Sequence, residues 1–188
     1  MPKPITIAVI VGSLRKQSVN RKAALALARL APAQVHLNIV EIGDLPLYDE
    51  DVEAAGAPES WLRFREELRA SDAVLFVTPE YNRSVPSALK NAIDVGSRPY
   101  GASAWAGKPA AIMSLSPGAL GGFGANHHLR QSLVFLDMPL LQQPEAYIGH
   151  AFSLFDEAGE LANEATRSFF QGFIDSFTDW IGRTARPA

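Results

Sequence analysis

Two hydrophobic patterns alternate along the chain. Short, apolar, β-branched runs recur at regular distances, and amphipathic stretches separate them. Residues 5–11 form a continuous run of the first kind, as a parallel strand buried on both faces requires. Residues 20–30 are rich in Ala and Leu and predict a helix that Ser18 or Asn20 can cap. Residues 35–42 predict a second strand, with Val35, Leu37 and Ile39 alternating. Residues 59–69 predict a helix that places Trp61, Phe64, Arg65 and Leu68 near one face. Residues 73–78 predict a third, central strand, and 86–95 a short helix entered through proline, which suits a first turn. A fourth strand is expected at 110–115 and a helix at 126–135, with Leu129, Leu133 and Leu136 inward. Residues 140–148 hold a short fifth strand, and 163–181 a long final helix. Phe169, Phe173, Phe177 and Trp180 fall at helical spacing there and read as core packing.

Five β-α repeats imply an α/β fold: a doubly wound, five-stranded parallel sheet between two helix layers. The expected strand order is the flavodoxin-like 2-1-3-4-5, in one domain over residues 1–188. That order puts a ligand cleft beyond the carboxyl ends of strands 1 and 3. The unusual residues of this chain follow strands 1, 3 and 4, where such a cleft would find them.

Composition narrows the function. The 188 residues are 47% hydrophobic and 20% charged, ordinary for a chain with a core. A net charge of -3 gives no support to a nucleic-acid partner, which needs a basic surface. No apolar run approaches the roughly 20 residues that span a bilayer, so no membrane insertion is expected. The start, MPKPITIAVIVG, is basic and then apolar, but it runs into GSLRKQS without a small-residue cleavage site. It reads as a core strand, and the protein as cytoplasmic. The absence of cysteine removes disulfides, thiol chemistry and thiolate metal sites.

The loop after strand 1, residues 12–20, holds Ser13, Ser18 and Asn20 as donors and Arg15 as a fixed positive charge. A phosphate at a helix N-terminus wants such groups together with free backbone N–H groups. The same residues also suit a plain polar connection with a good cap. Neither a P-loop nor GxGxxG is present. The loop after strand 3, residues 78–86, is stiffened by Pro79 and Pro86. Tyr81 offers an apolar wall, and Asn82 both a donor and an acceptor for the polar edge of a planar heterocycle. In the loop after strand 4, Gly118, Gly121, Gly122 and Gly124 give four glycines in seven residues. They permit close approach of backbone N–H groups to a ligand. A dinucleotide fingerprint is disfavoured there, because the spacing is GxxGGxG and no acid follows about 20 residues on.

With these loops in place, the sequence resembles the NADPH-dependent FMN reductase family, in particular its chromate and quinone reductase branch. The resemblance rests on GSLRKQSVN (12–20), PLYDED (46–51), TPEYNRSVPSALKNAIDVGSR (78–98) and GALGGFGANHHLRQSLVFLD (118–137). It implies a flavodoxin-like fold, noncovalent FMN, NAD(P)H as co-substrate, a small-molecule acceptor and a homodimer or homotetramer. It further implies that Ser13, Arg15, Ser18, Val19 and Asn20 bind the cofactor at its phosphate end. Pro79, Glu80, Tyr81 and Asn82 would line the ring, Ser116 and Gly118 its other edge. Tyr81, Asn82 and Arg83 would border the substrate. The chemistry belongs to FMN, so no catalytic side chain is expected, and NAD(P)H leaves before the acceptor binds. Quinones are the expected acceptors, with chromate and azo compounds as side substrates. Two alternatives share these motifs: a reductase that releases reduced FMN, and an electron carrier without nicotinamide activity. Nothing specific favours a redox-sensing module.

Three further groupings carry less. His127 and His128 are adjacent and point apart on a helix, so they make no metal pair. Asp49, Glu50 and Asp51 read as a solvated acidic loop. Lys90 and Asp94 form an i,i+4 helix pair.

Overall fold

The computed structural model describes residues 4–185. Strands β1 (Ile5–Val11), β2 (Val35–Val40), β3 (Ala73–Thr78), β4 (Ala110–Leu115) and β5 (Ala146–Ile148) pair in parallel in the order β2-β1-β3-β4-β5. This is the expected flavodoxin-like order. The strands at its centre are apolar at nearly every position because both sheet faces are covered. Ile7, Val9 and Val11 of β1 join Leu75 and Val77 in one core, beneath helices α1 (Val19–Leu30) and α6 (Glu164–Thr184). Ala8 and Ile10, between them, join Val74 and Phe76 in the other. That second core lies against α3 (Glu59–Arg69), α4 (Ser87–Gly96) and α5 (Phe123–Phe135).

Several boundaries move. Pro86 stands before α4 as its cap residue, and α5 begins three residues earlier than its apolar periodicity suggests. The second strand stops at Val40, and residues 140–145 contribute only an isolated bridge, Ala110 with Leu140. The aromatic stripe of α6 is core, but turned by one position. Phe170, Phe173 and Phe177 are fully buried, while Phe169 and Trp180 pack at the margin.

The acidic segment is not a loop. Asp49 caps a helix, α2 (Glu50–Gly56), by accepting the Asp51 N–H at 2.8 Å. Acidic residues in the first turn suit the helix dipole. One of them has a structural partner. Glu53 accepts two bonds from the Arg65 guanidinium, at 2.9 and 2.5 Å. The Arg65 side chain is 2% exposed, and its Nε donates to the Val95 carbonyl at 2.9 Å. Arg65 thereby ties α2 and α3 to the end of α4. A buried guanidinium needs that carboxylate more than the pair needs to exist. Glu53→Ala should therefore lower stability in urea unfolding by roughly 3–5 kcal/mol, and adding Arg65→Met should restore part of the loss.

Candidate functional site

Chain geometry at the carboxyl end of the sheet begins with a close approach. A Cβ at Gly12 would lie 2.6 Å from Thr78 Oγ1, so only glycine lets β1 end against β3. The next residues turn into α1. Ser18 caps that helix, its Oγ accepting the Arg21 N–H at 3.2 Å, which leaves the hydroxyl proton free to donate elsewhere. Asn20 is 3% exposed, and its Oδ1 is a buried acceptor with no partner among the described residues. Arg15 is exposed and forms no ion pair among the described residues.

The loop after β3 closes on itself. Tyr81 and Ser84 exchange backbone hydrogen bonds of 3.0 and 2.9 Å across a two-residue turn. Both central residues are left-handed, Asn82 at φ 50° and Arg83 at φ 64°, the signature of a type I′ turn. Glu80 does more than line a wall. Its Oε2 accepts the Ala125 N–H at 3.0 Å, in the first turn of α5, where Gly122 provides no side-chain cap. The carboxylate thus caps α5 from another loop and favours its dipole.

Two of the glycines after β4, Gly121 and Gly124, pack closely against backbone. A Cβ at Gly121 would fall 2.4 Å from the Tyr147 backbone, and one at Gly124 2.8 Å from the Arg83 carbonyl. None of these glycines lines the cavity described next; Ser116 and Pro117 represent the loop there. Gly118 instead donates its N–H to Ser116 Oγ at 3.2 Å.

Three loops meet around one cavity of about 210 Å³. Ser13, Arg15, Ser18, Val19 and Asn20 line it from the first, and Pro79, Glu80 and Tyr81 from the second. Ser116 lines it from the third, and Leu115, Pro117 and Phe152 complete it. Gly118, Asn82 and Arg83 are not among its walls. Asn82 lies at the tip of the turn and faces a second, open groove of about 570 Å³, which Tyr81, Lys90 and His128 also line. Arg83 points outward and meets Glu80 only at 3.9 Å. Leu115 and Pro117 were within reach of sequence reading, being next to Ser116. Phe152 was not, since it lies far along the chain from Ser116, to which its neighbour Ala151 bonds, in a stretch without a motif.

The cluster of α5 follows the helix geometry expected of it. His127 Nε2 and the Tyr147 hydroxyl are 3.0 Å apart, and His128 Nδ1 is 2.9 Å from Ser84 Oγ, so the two imidazoles serve different neighbours. Burial first, then the Glu145 carboxylate, pushes the Tyr147 phenol above its ordinary range. Lys90 and Asp94 form the helix pair at 2.8 Å. No helix among the described residues is long and apolar enough to cross a membrane.

The donor set suits a phosphorylated, hydroxylated ligand. A helix N-terminus, two hydroxyls and an unpaired guanidinium fit a phosphate. The unpartnered Asn20 Oδ1 calls for a hydroxyl donor, which a ribityl chain offers. FMN meets both demands.

The chain is similar to known proteins over most of its length. Residues 5–153 match the model of the NADPH-dependent FMN reductase family. A quinone reductase of Pseudomonas putida is 68% identical over 96% of this chain and 97% of its own. A 2-hydroxy-1,4-benzoquinone reductase of a Burkholderia species is 46% identical, over 94% of this chain and 96% of its own. Among solved structures, FerB of Paracoccus denitrificans, a flavoenzyme NAD(P)H:(acceptor) oxidoreductase, superposes with a TM-score of 0.90. It is 45% identical, with 97% of this chain and 100% of FerB covered. A match over most of the chain, together with a cavity at the carboxyl ends of β1, β3 and β4, gives one conclusion: the protein belongs to the NADPH-dependent FMN reductase family.

Proposed function

We propose that the protein is an NAD(P)H-dependent quinone reductase that works through FMN seated in the three-loop cavity. The observation that carries this reading is the convergence of a phosphate-ready helix start, an orphaned buried amide oxygen and a proline-stiffened wall in one cavity. When bound, FMN supplies the redox chemistry, taking a hydride equivalent from NAD(P)H and returning two electrons to the acceptor. The chain binds, orients and screens. Ser13, Ser18 and Arg15 hold the phosphate, Ser18 through the hydroxyl proton its capping bond leaves free. Asn20 presents its amide to the phosphate end and its free oxygen to the ribityl chain. Pro79, Tyr81 and Ser116 fix the plane of the ring, and Glu80 keeps that wall in place through Ala125. Asn82 borders the open groove beside the cavity, and Arg83, its neighbour on the turn, reaches into solvent where the nicotinamide or acceptor arrives. A quinone needs two electrons and two protons; the nicotinamide supplies the hydride and solvent the remaining proton, so no buried acid is required.

The whole of residues 1–188 acts as one domain in this reading. The protein works in the cytoplasm, where NAD(P)H is available, and assembles as a homodimer or homotetramer. Exposed Val134 and Phe135 on α5 support self-association. Chromate and azo compounds are side substrates of an accessible cofactor.

Two measurements test the reading. Fluorescence titration of apoprotein with FMN should give a binding loss of roughly 1.5–3 kcal/mol for Arg15→Ala, the worth of a hydrogen bond to a charged group; an unchanged affinity removes Arg15 from the phosphate site. In the second, the FMN-loaded protein turns over NADPH with a quinone and is then passed through gel filtration. Quinone-dependent NADPH oxidation with flavin still eluting with the protein supports a quinone reductase. Flavin in the small-molecule fraction would make it a supplier of free reduced FMN instead.

A further inference from the structure

Phe152 is held firmly by its backbone and left bare at its ring. It sits in a single 3-10 turn, Ala151–Ser153, entered through His150 in the left-handed region at φ 50°. Ser116 anchors the start of that turn: its N–H donates to the Ile148 carbonyl at 3.0 Å and its carbonyl accepts the Ala151 N–H at 3.1 Å. The Ser153 hydroxyl donates to the His150 carbonyl at 2.9 Å. Gly149 passes so near the β4 loop that a Cβ there would lie 2.7 Å from the Ala119 carbonyl. Ala151 and Leu154, flanking the ring, are in the core under α1 and α6. Phe152 itself is 65% exposed, on the wall of the cavity. An ordinary apolar ring at an anchored position would turn inward and gain burial. The only other aromatic wall of that cavity is Tyr81, 50% exposed, on the loop after β3. The two rings come from different loops and both remain reachable from solvent at one mouth.

We propose that Phe152 touches the incoming acceptor and gives the protein a preference for hydrophobic, fused-ring quinones over small polar acceptors. The proposal rests on the quinone-reductase reading and adds to it the class of acceptor. A planar bicyclic ring in the mouth covers the exposed face of Phe152 and gains apolar contact and ring-ring interaction there. A single small ring gains less, and an anion without a ring gains nothing. The other walls are polar, proline or, at Val19 and Leu115, aliphatic, so ring-ring contact falls to the two aromatic residues.

The test uses FMN-loaded wild type, Phe152→Ala and Phe152→Leu. Three quantities are read: the FMN dissociation constant, the dissociation constant of 2-methyl-1,4-naphthoquinone without NADPH, and kcat/KM for that quinone and for ferricyanide. Phe152→Ala should raise the naphthoquinone dissociation constant and lower its kcat/KM, each about tenfold, the scale of a lost aromatic contact. Phe152→Leu should fall between, since it keeps apolar area without a ring face. The deciding readout is a ratio taken at saturating FMN: kcat/KM for the naphthoquinone should fall about tenfold relative to kcat/KM for ferricyanide, which has no ring to lose contact. The proposal is overturned if the naphthoquinone constant does not move, or if both acceptors lose rate together. It is equally overturned if FMN affinity falls by the same factor, which would make Phe152 a cofactor contact. Wild type that takes no FMN would overturn the functional reading itself, a result plainly different from an unaltered Phe152 variant.

Discussion

One carboxylate holds the cavity together. Glu80 leaves the loop after β3 and bonds the first turn of the helix after β4. Parallel strands have no side-by-side turns at this end of the sheet, so their loops leave independently and nothing in the ladder fixes them to one another. The Glu80–Ala125 bond supplies that link, and Gly124 permits it: any side chain there would press on the Glu80 oxygen at 2.9 Å. Ser116 does the same between β4 and the turn after β5. A rim made of separate loops thereby behaves as one wall, which a cofactor binding without covalent attachment requires.

This arrangement explains the division between what the sequence displayed and what it hid. The strands were legible because their residues are apolar on both faces, a property of each segment alone. The loop after β1 was legible because a cap, a cation and two hydroxyls lie within nine residues. Helix α2 was hidden, since it buries no residue and so has no apolar period; its cap at Asp49 and its acidic first turn were the available signals. Of the glycines after β4, Gly121 and Gly124 are crowded by protein backbone. Their neighbours are the Tyr147 backbone and the Arg83 carbonyl, both distant in sequence, and no local pattern distinguishes crowding by protein from approach of a ligand. Phe152 was hidden for a related reason: its meaning depends on Ser116, far back along the chain.

Charge is used locally. Arg65 and Glu53 neutralise each other inside the α2–α3–α4 packing, while Arg15 at the cavity has no ion-pair partner among the described residues. Two guanidinium groups of the same chemistry thus stand in opposite settings, distinguished by whether a carboxylate lies within reach.

The turn at Asn82–Arg83 shows how the rim is composed. A two-residue hairpin of this type is most relaxed with glycine at its second position, and an ordinary residue in the left-handed region gives up about 1–2 kcal/mol. Arginine occupies that position at φ 64°. The hairpin tip is therefore less comfortable than its backbone permits, in a sheet whose strands show no such compromise. What the molecule has in return is a long, solvent-exposed cationic side chain on a tight stem, next to Tyr81 and Glu80 of the cavity wall, which a glycine there would not present.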